Sequence, residues 1–409
     1  MAVKFPIFMD SNSTTPVDPR VLETMIPYFT ERFGHPGSRN HSFGWEAEAG
    51  MERAREQLAR LIGARDPKEL VWTSGGTEAD NLAIKGVVEM YRERGDHIVT
   101  TVTEQRAVLD PCRRLEKQGL ARVTYLPVDA MGVVDPDAVR QAITDRTVLV
   151  SIMLANNEIG TIQAIQELSK VAKERGVLFH TDATEAVGKI PIDVEKMGID
   201  LLSCTGHKIY GPKGIGALYV RRRNPRVRIA PMIDGGGHER GARSGTVPVA
   251  LAVGFGRAAE ICREVMPEES ARLAQLRDRL QDRILSSVDE AYLNGHPERR
   301  LPHTLNISFA YVEGESILMG LNKEVALSSG SACTSSTLEP SYVIQALGVG
   351  ADLAHSSIRY GLHRFTTGEE VDFVADRTID VVKRLREMSP LYELAKEGVD
   401  IKSIHWKAE

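Results

Sequence analysis

Between about residue 45 and residue 220, amphipathic helical patterns alternate with short apolar segments that are typical of β-strands. One helical pattern extends from Glu46 to Ile62, and another extends from Thr77 to Arg92, with Thr77 as its expected N-cap. Strands that alternate with helices favour a mostly parallel sheet, because each helix returns the chain to the edge where the previous strand began. The sequence therefore predicts an α/β fold. The predicted strands are 69–73, 97–102, 122–126, 148–154, 177–181, 201–204 and 215–220.

A long helical pattern from Val249 to Ser287 separates this region from the C-terminal part of the chain. We expect a large domain over residues 1–264, which includes an N-terminal segment, and a smaller α+β domain over residues 265–409. Within the smaller domain, residues 328–338 are mostly small side chains around Cys333. Because such side chains pack weakly, this segment is predicted to be a mobile loop.

Charge and cysteine content exclude several classes of protein. The 51 basic and 56 acidic residues give a formal net charge of −5, which argues against a general nucleic-acid or membrane-surface binder. The sequence has no apolar run of about 18 residues that could span a membrane. Four cysteines in 409 residues do not make a disulfide framework. We therefore expect a cytoplasmic protein with neither nucleic-acid nor membrane partners.

Three polar elements follow predicted strands in a fixed order. Gly75-Gly76-Thr77 lies between a strand and a helix, where free N–H groups and the helix dipole suit a phosphate. Asp182 ends an apolar strand, and Lys208 lies in a glycine-rich segment after the next strand. Each signal is weak alone, since a turn lysine is usually a surface residue. Together they predict a pyridoxal phosphate site with a phosphate turn, an acid for the ring nitrogen and a Schiff-base lysine.

The chain resembles the NifS/IscS-like pyridoxal-phosphate cysteine desulfurases, a branch of the class V aminotransferase family. The resemblance covers nearly the whole chain and implies a fold type I transferase, with a mostly parallel mixed sheet in the large domain and a smaller C-terminal α+β domain. It also implies a homodimer with shared sites. The segments that carry the resemblance are TTPVDP (14–19), SGGTEADNLAIKG (74–86), NNEIG (156–160), GHKIYGPKGIG (206–216), GGGHERGARSGT (235–246), GSACTSSTLEPSY (330–342) and HSSIR (355–359).

By position, the resemblance assigns roles to individual residues. Lys208 corresponds to the Schiff-base lysine and Asp182 to the partner of the pyridinium nitrogen. Asn157 corresponds to an amide near the cofactor's phenolic oxygen and the substrate carboxylate, and Arg359 to the guanidinium that clamps this carboxylate. Thr246 corresponds to a residue that reaches the phosphate of the neighbouring subunit. The remaining phosphate or cofactor-pocket residues are Gly76, Thr77, Thr205, Gly206 and His207.

Cys333 is the candidate nucleophile. The resemblance implies that it attacks the sulfur of L-cysteine, becomes a persulfide and leaves L-alanine, after which an iron–sulfur scaffold or another acceptor takes the sulfur. The small-residue segment suits this role independently, because the thiol must move between two sites. No resident metal is expected, and Cys333 is at most a transient cluster ligand. The other three cysteines lie in apolar patterns that are typical of inert buried thiols: Cys112, Cys204 and Cys262.

The sequence departs from the family around the cofactor. Gln105 stands where relatives carry a histidine that stacks on the ring and passes protons, and an amide cannot do the latter near neutral pH. Glu185 replaces a glutamine that donates to the phenolic oxygen. An ionised Glu185 would repel this oxygen, so the side chain must either stay protonated or turn away. Thr205 replaces a serine, and Asn12-Ser13 stands where the family's N-terminal loop reads Tyr-Ser-Ala.

These departures leave alternatives open beside the desulfurase. One is a divergent pyridoxal-phosphate lyase that acts on another amino acid, and another is a catalytically weak homologue that serves as a docking platform. The C-terminal segment 398–406 resembles the tail that receives the scaffold partner, although it could equally pack on its own domain.

Overall fold

The computed structural model describes residues 4–329 and 340–397. Its larger sheet has seven strands in the order β2-β8-β7-β6-β5-β3-β4, and β8 alone runs antiparallel to its neighbours. The predicted α/β class with a mostly parallel sheet is therefore confirmed. The strands of the described residues are β1 (Ile7–Phe8), β2 (Leu70–Thr73), β3 (His97–Thr101), β4 (Arg122–Leu126), β5 (Thr147–Ser151), β6 (Leu178–Asp182), β7 (Leu201–Thr205), β8 (Gly216–Val220), β9 (Ala291–Leu293), β10 (Thr304–Phe309), β11 (Val325–Ala326) and β12 (Ser357–Gly361).

Helices cover both faces of this sheet, and two apolar clusters fill the spaces between them and the strands. Among the described residues, no helix is both long and apolar enough to cross a membrane. The α-helices of the described residues are α1 (Pro19–Met25), α2 (Pro27–Thr30), α3 (Ser42–Ile62), α4 (Gly76–Met90), α5 (Arg106–Lys117), α6 (Pro136–Ala142), α7 (Ile165–Glu174), α8 (Val249–Ser287), α9 (Gly314–Leu321), α10 (Tyr342–Ala346), α11 (Ala351–His355), α12 (Gly368–Glu387) and α13 (Pro390–Lys396).

The helix α8 connects two apolar cores. Its N-terminal half, which includes Phe255, packs in the core of the large sheet, whereas Leu273 and Leu280 pack in a second core with the antiparallel sheet β12-β10-β9. The N-terminal residues Ile7 and Met9 also lie in this second core. The division of the chain at residues 264 and 265 falls inside α8 and stays a prediction.

Two predicted helix starts differ from the structure. α3 begins at Ser42 rather than Glu46, because the His41 Nδ1 atom accepts a hydrogen bond from the Gly44 N–H at 3.2 Å and caps the helix earlier. The prediction of Thr77 as the N-cap of α4 is wrong. Gly75 occupies that position with an extended backbone and no capping side chain, and the first N–H groups of the helix thus stay open.

The N-terminal segment joins the two parts of the chain at the site edge. β1 pairs in parallel with β11, near the end of the described range that precedes residue 330. Beyond β1, the Ser11 hydroxyl donates to the Leu362 carbonyl, and the Thr15 N–H donates to the His207 carbonyl at 2.9 Å. This segment therefore contacts the elements that follow β7 and β12.

Candidate active site

The carboxyl ends of the parallel strands meet at one edge of the large sheet, and predicted site residues gather there. Asp182 is the last residue of β6, Lys208 ends the 3₁₀ turn Gly206–Lys208 after β7, and Asn157 follows β5. The N-terminus of α4 lies at the same edge, because β2 runs in the same direction as β7. The phosphate turn, the acid and the lysine thus share one edge of the sheet.

Asp182 presents an unsatisfied acceptor. The residue is 1% exposed, its Oδ1 atom accepts from the Thr184 N–H at 2.8 Å, and its Oδ2 atom has no hydrogen-bond partner within the described ranges. Burial raises the pKa of the Asp182 carboxyl, and the nearby Glu185 carboxylate adds to this effect. A buried acceptor without a partner is destabilising unless a ligand donates to it. A protonated ring nitrogen is such a donor, so the site fits pyridoxal phosphate.

Two further carboxyl groups lie buried near Asp182. Burial and the Asp182 charge raise the pKa of Asp80 well above its ordinary value. Burial likewise raises the pKa of Glu104 to about 8, although the Met153 N–H donates to its Oε1 atom at 2.8 Å. His180 lies 3.6 Å from the Asp80 carboxylate, and burial lowers its pKa to about 3. The surroundings of Asp182 therefore favour neutral groups.

The start of α4 forms the predicted phosphate turn. A Cβ atom at Gly76 would lie 2.6 Å from the Thr184 side chain, and one at Gly216 would lie 2.5 Å from the Gly75 carbonyl carbon. Only glycine allows these close approaches. The N–H groups of the first helical turn have no partner inside the helix, and the dipole favours an anion there. Gly76 and Thr77 therefore present donors where a phosphate group would lie.

An ion pair that was not predicted from the sequence attaches a distant loop to this turn. The Arg243 guanidinium donates to both carboxylate oxygens of Glu78, at 2.8 and 3.2 Å. Glu78 in turn accepts from the Ser74 N–H at 2.7 Å. Arg243 belongs to the glycine-rich loop 235–246, and Thr246 at the end of this loop is exposed on the surface of the chain. The ion pair thus fixes the loop that carries Thr246 beside the phosphate turn.

Lys208 contacts the N-terminal segment and the unusual Glu185. Its ammonium group donates to the Asn12 carbonyl and to Glu185 Oε1. The Lys208 and Glu185 side chains are 13% and 2% exposed. The Asn12 amide donates to Glu185 Oε2 at 3.4 Å and to the Thr304 hydroxyl at 2.8 Å. Glu185 therefore does not turn away from the site, because it forms an ion pair with Lys208.

The residues around Lys208 are held by backbone contacts. The Thr205 hydroxyl donates to the Ile215 carbonyl at 3.2 Å, and a Cβ atom at Gly206 would lie 2.9 Å from the Pro212 carbonyl oxygen. His207 Nδ1 lies 3.2 Å from the Thr14 hydroxyl. Burial lowers the pKa of His207 to about 4, so that its ring is neutral at physiological pH.

Gln105 occupies the N-cap position of α5 beside the site. Its amide nitrogen donates to the Thr184 hydroxyl at 3.3 Å, and the residue is half-buried. Thr184 also contacts the Gly76 position and donates its N–H to Asp182. Gln105 therefore lies close to both the predicted phosphate turn and the predicted ring-nitrogen partner.

Arg359 reaches the site from β12. One terminal nitrogen donates to the Asn157 carbonyl at 3.1 Å, and the other donates to Asp10 at 2.9 Å and to the Ser13 hydroxyl at 2.8 Å. The Nε atom is buried and has no partner within the part of the chain that the structure describes. Asp10 and Ser13 were not predicted as site residues. The guanidinium therefore retains a free donor for a substrate carboxylate.

Two contacts lie at the borders of the undescribed segment 330–339. The Arg359 N–H donates to the Ser328 carbonyl at 2.8 Å, and the Ser341 hydroxyl donates to the Glu158 carboxylate at 2.5 Å. Burial raises the pKa of Glu158 to about 7. The predicted nucleophile Cys333 lies outside the described residues, as do most of the predicted cysteine loop and the C-terminal segment 398–406.

The three described cysteines match the prediction of inert thiols. All three are buried and free of disulfide bonds. Burial raises the pKa of Cys112 to about 12, and it also raises the pKa of Cys204 and Cys262. Because the thiolate is the reactive form, these residues are poor nucleophiles.

Comparison with known proteins identifies the family of this chain. The family Aminotransferase class-V matches residues 7–374. A cysteine desulfurase from Mus musculus is 56% identical over 405 residues, which are 99% of this chain and 87% of that protein. Cysteine desulfurase IscS from Rickettsia felis is 54% identical over 401 residues, which are 98% of this chain and 97% of that protein.

Solved structures agree with the fold as well. A structure named NifS-like protein has a TM-score of 0.84 and 37% identity, and the match covers 93% of this chain and 100% of that one. A structure of SspA in complex with cysteine has a TM-score of 0.78 and 36% identity, covering 88% of this chain and 100% of that one. The chain belongs to the class V aminotransferase family, and within it to the cysteine desulfurases. Enzymes of this family depend on pyridoxal 5′-phosphate, and so does this chain.

Proposed function

We propose that this chain is a cysteine desulfurase that converts L-cysteine to L-alanine and passes the sulfur, carried as a persulfide on Cys333, to an iron–sulfur scaffold or another acceptor. One observation carries the proposal: three features lie at the same edge of the sheet. They are Lys208, the open N-terminus of α4, and the Asp182 Oδ2 atom, which has no hydrogen-bond partner among the described residues. The likeness to cysteine desulfurases over nearly the whole chain supports the same reaction.

The cofactor, when bound, supplies an aldehyde for Lys208 and a protonated ring that accepts an electron pair from the substrate. Asp182 Oδ2 would hold the proton of the ring nitrogen. The N–H groups of α4 and the Thr77 hydroxyl would bind the phosphate. Thr205, Gly206 and His207 would also contact the cofactor there. The buried position of Asp182 excludes water from this contact and strengthens it.

The substrate is bound and processed by other side chains. Arg359 would bind the carboxylate of L-cysteine through its free Nε donor, with Asn157 beside it. Lys208 Nζ would move the proton at the substrate's α-carbon. The Cys333 thiolate would attack the substrate sulfur, so that an S–S bond forms as the C–S bond breaks. The overall reaction balances as L-cysteine plus the Cys333 thiol, giving L-alanine plus the Cys333 persulfide.

Borohydride reduction tests the assignment of the cofactor lysine. Purified protein is expected to be yellow, and reduction should attach the cofactor covalently to the peptide that contains Lys208, because this is the amine at the site edge. The measurement is mass spectrometry of the digested protein, with Lys208→Ala as the control. Attachment to a different lysine, or a colourless protein that does not take up the cofactor, would contradict the proposal.

The proposal includes a homodimer in which Thr246 reaches the neighbouring subunit's phosphate. Large apolar side chains between residues 22 and 45 support it, since Phe29, Phe33 and Trp45 are 58%, 62% and 56% exposed. The Phe33 and Phe43 rings stack 5.3 Å apart. His35 also contacts His238 in the loop that leads to Thr246. An exposed apolar patch of this kind is typical of an interface.

A charge in this patch should dissociate the dimer. Phe33→Glu is expected to raise the dissociation constant of the dimer at least about tenfold. A tenfold change corresponds to roughly 1.4 kcal/mol, and burying an unpaired charge in the interface costs more than that. Sedimentation velocity at several concentrations measures this. The matched control is Met319→Glu on α9, since Met319 is an apolar residue that is 74% exposed and lies on a different element from the patch. A monomeric wild type, or an unaffected variant, would contradict the dimer.

A cytoplasmic location is also part of the proposal. The described cysteines support it, because three free thiols without a disulfide are typical of a reducing compartment. The acceptor of the sulfur would meet Cys333 there.

A further inference from the structure

Glu185 and Lys208 form a buried ion pair at the point where the cofactor would be attached. Glu185 Oε1 accepts from the lysine, and Oε2 accepts from the Asn12 amide at 3.4 Å. The carboxylate is 2% exposed, so both of its oxygens depend on these two partners. Relatives carry a neutral glutamine here by the resemblance described above, and a glutamine would leave the ammonium without a counter-ion.

We propose that Glu185 takes the proton that Lys208 must lose when the cofactor is attached, and that it keeps this proton inside the site as a donor to the cofactor's phenolic oxygen. The inference rests on the proposed function only in taking Lys208 as the attachment point. It resolves the conflict at position 185, because a carboxylic acid donates a hydrogen bond as the family's amide does, whereas a carboxylate would repel the phenolic oxygen.

The step balances within the site. The proton moves from the Lys208 ammonium to Glu185 Oε1, which leaves a neutral amine. When the cofactor is bound, the electron pair of that amine would be free to bond to its aldehyde carbon, and the aldehyde oxygen would leave as water with the two remaining protons of the amine. Before this step, Lys208 is a positively charged ammonium and Glu185 is a negatively charged carboxylate. After it, both side chains are neutral.

Once the Lys208 ammonium has gone, Glu185 has no cation in contact with it among the described residues. Asp182 lies close enough that the Glu185 charge contributes to the raised pKa of Asp182, so two adjacent buried carboxylates repel each other. His303 also lies near Lys208, but burial lowers its pKa well below the ordinary value, so that it is neutral. Arg359 is already engaged with Asp10 and Ser13. Within the described ranges, Lys208 is thus the cation that balances Glu185.

Counting protons released on cofactor binding tests the proposal. Cofactor-free protein is mixed with pyridoxal 5′-phosphate in weakly buffered solution, and a pH indicator reports the protons released per site. Glu185→Gln should release about one proton more than wild type, because its amide cannot store the lysine proton. Glu185→Asp keeps a carboxylate and is expected to give the wild-type count. Glu93→Gln, an exposed carboxyl beyond the C-terminal end of α4, is the matched control and should also give the wild-type count.

A second measurement needs neither cofactor nor activity. Trace acetylation of cofactor-free protein gives the reactivity of Lys208 relative to the exposed Lys213 by mass spectrometry. Loss of the ion pair in Glu185→Gln should raise this ratio, because the Lys208 nitrogen is then no longer held as a donor to Glu185 Oε1. Equal proton counts in wild type and Glu185→Gln, or an unchanged acetylation ratio, would overturn the inference. Neither result would touch the desulfurase proposal, which fails instead if borohydride labels another lysine.

Discussion

Replacement of Cys333 by alanine is expected to lower sulfide release from L-cysteine by about a thousandfold or more, the scale at which loss of a covalent nucleophile acts in other enzymes. The cofactor spectrum should not change, because Lys208 and Asp182 form their contacts without this residue. The physical reason is that Cys333 alone lies in a small-residue segment, whereas burial raises the pKa of the other three thiols.

Sulfide and alanine assays with a reductant present measure this effect, and mass spectrometry of the wild type after incubation with L-cysteine should find the additional sulfur on Cys333. Cys112→Ala is the matched control, because Cys112 is a buried free thiol whose pKa burial raises to about 12. It should retain wild-type turnover. Wild-type turnover in Cys333→Ala would show that the nucleophile has been assigned to the wrong residue.

Replacement of Gln105 by histidine should accelerate turnover. General acid–base catalysis by a positioned group contributes about 10²–10⁴-fold, and we expect a gain near the lower end of that range because Lys208 also moves protons. The position is suitable, since the Gln105 amide lies 3.3 Å from the Thr184 hydroxyl beside Asp182. Cofactor binding should change little, because Gln105 has no described contact with Lys208 or with the open N–H groups of α4.

The comparison requires turnover and stopped-flow spectra of both proteins side by side. In the wild type, L-cysteine should bind rapidly and the later steps should be slow. Gln105→Asn serves as the control, because its shorter amide likewise carries no titratable proton and should bring no gain. If the histidine variant is no faster than wild type, the residue is not the missing proton shuttle, and it is better explained by neutral drift or by a different substrate.

The sequence was sufficient to predict the elements whose side-chain patterns are strong. The parallel strands and α8 agree with prediction to within a few residues, because continuous apolar runs and helical spacing are local properties. The start of α4 was predicted wrongly, since the choice between Gly75 and Thr77 depends on how closely the turn packs on Thr184 and Gly216.

Contacts between distant residues could not be predicted from patterns. Glu78 and Arg243 are 165 positions apart, and Asp10 and Arg359 are 349 positions apart. The ion pair of Glu185 with Lys208 is of the same kind, because the sequence showed only that an ionised carboxylate conflicts with the family's chemistry. Its partner became evident only when the fold placed the two side chains in contact.

The N-terminal segment has a consequence for how the site is assembled during synthesis. β1 leaves the ribosome long before its partner β11 at Val325–Ala326, and Asp10 likewise precedes its partner Arg359. Such pairings wait until residues 325 and 359 have emerged, whereas β3 to β7 find their neighbours much earlier. The large sheet can therefore be complete before Asn12 has reached its position beside Lys208 and Glu185. Residues that are made before the supporting sheet thus take their places after it.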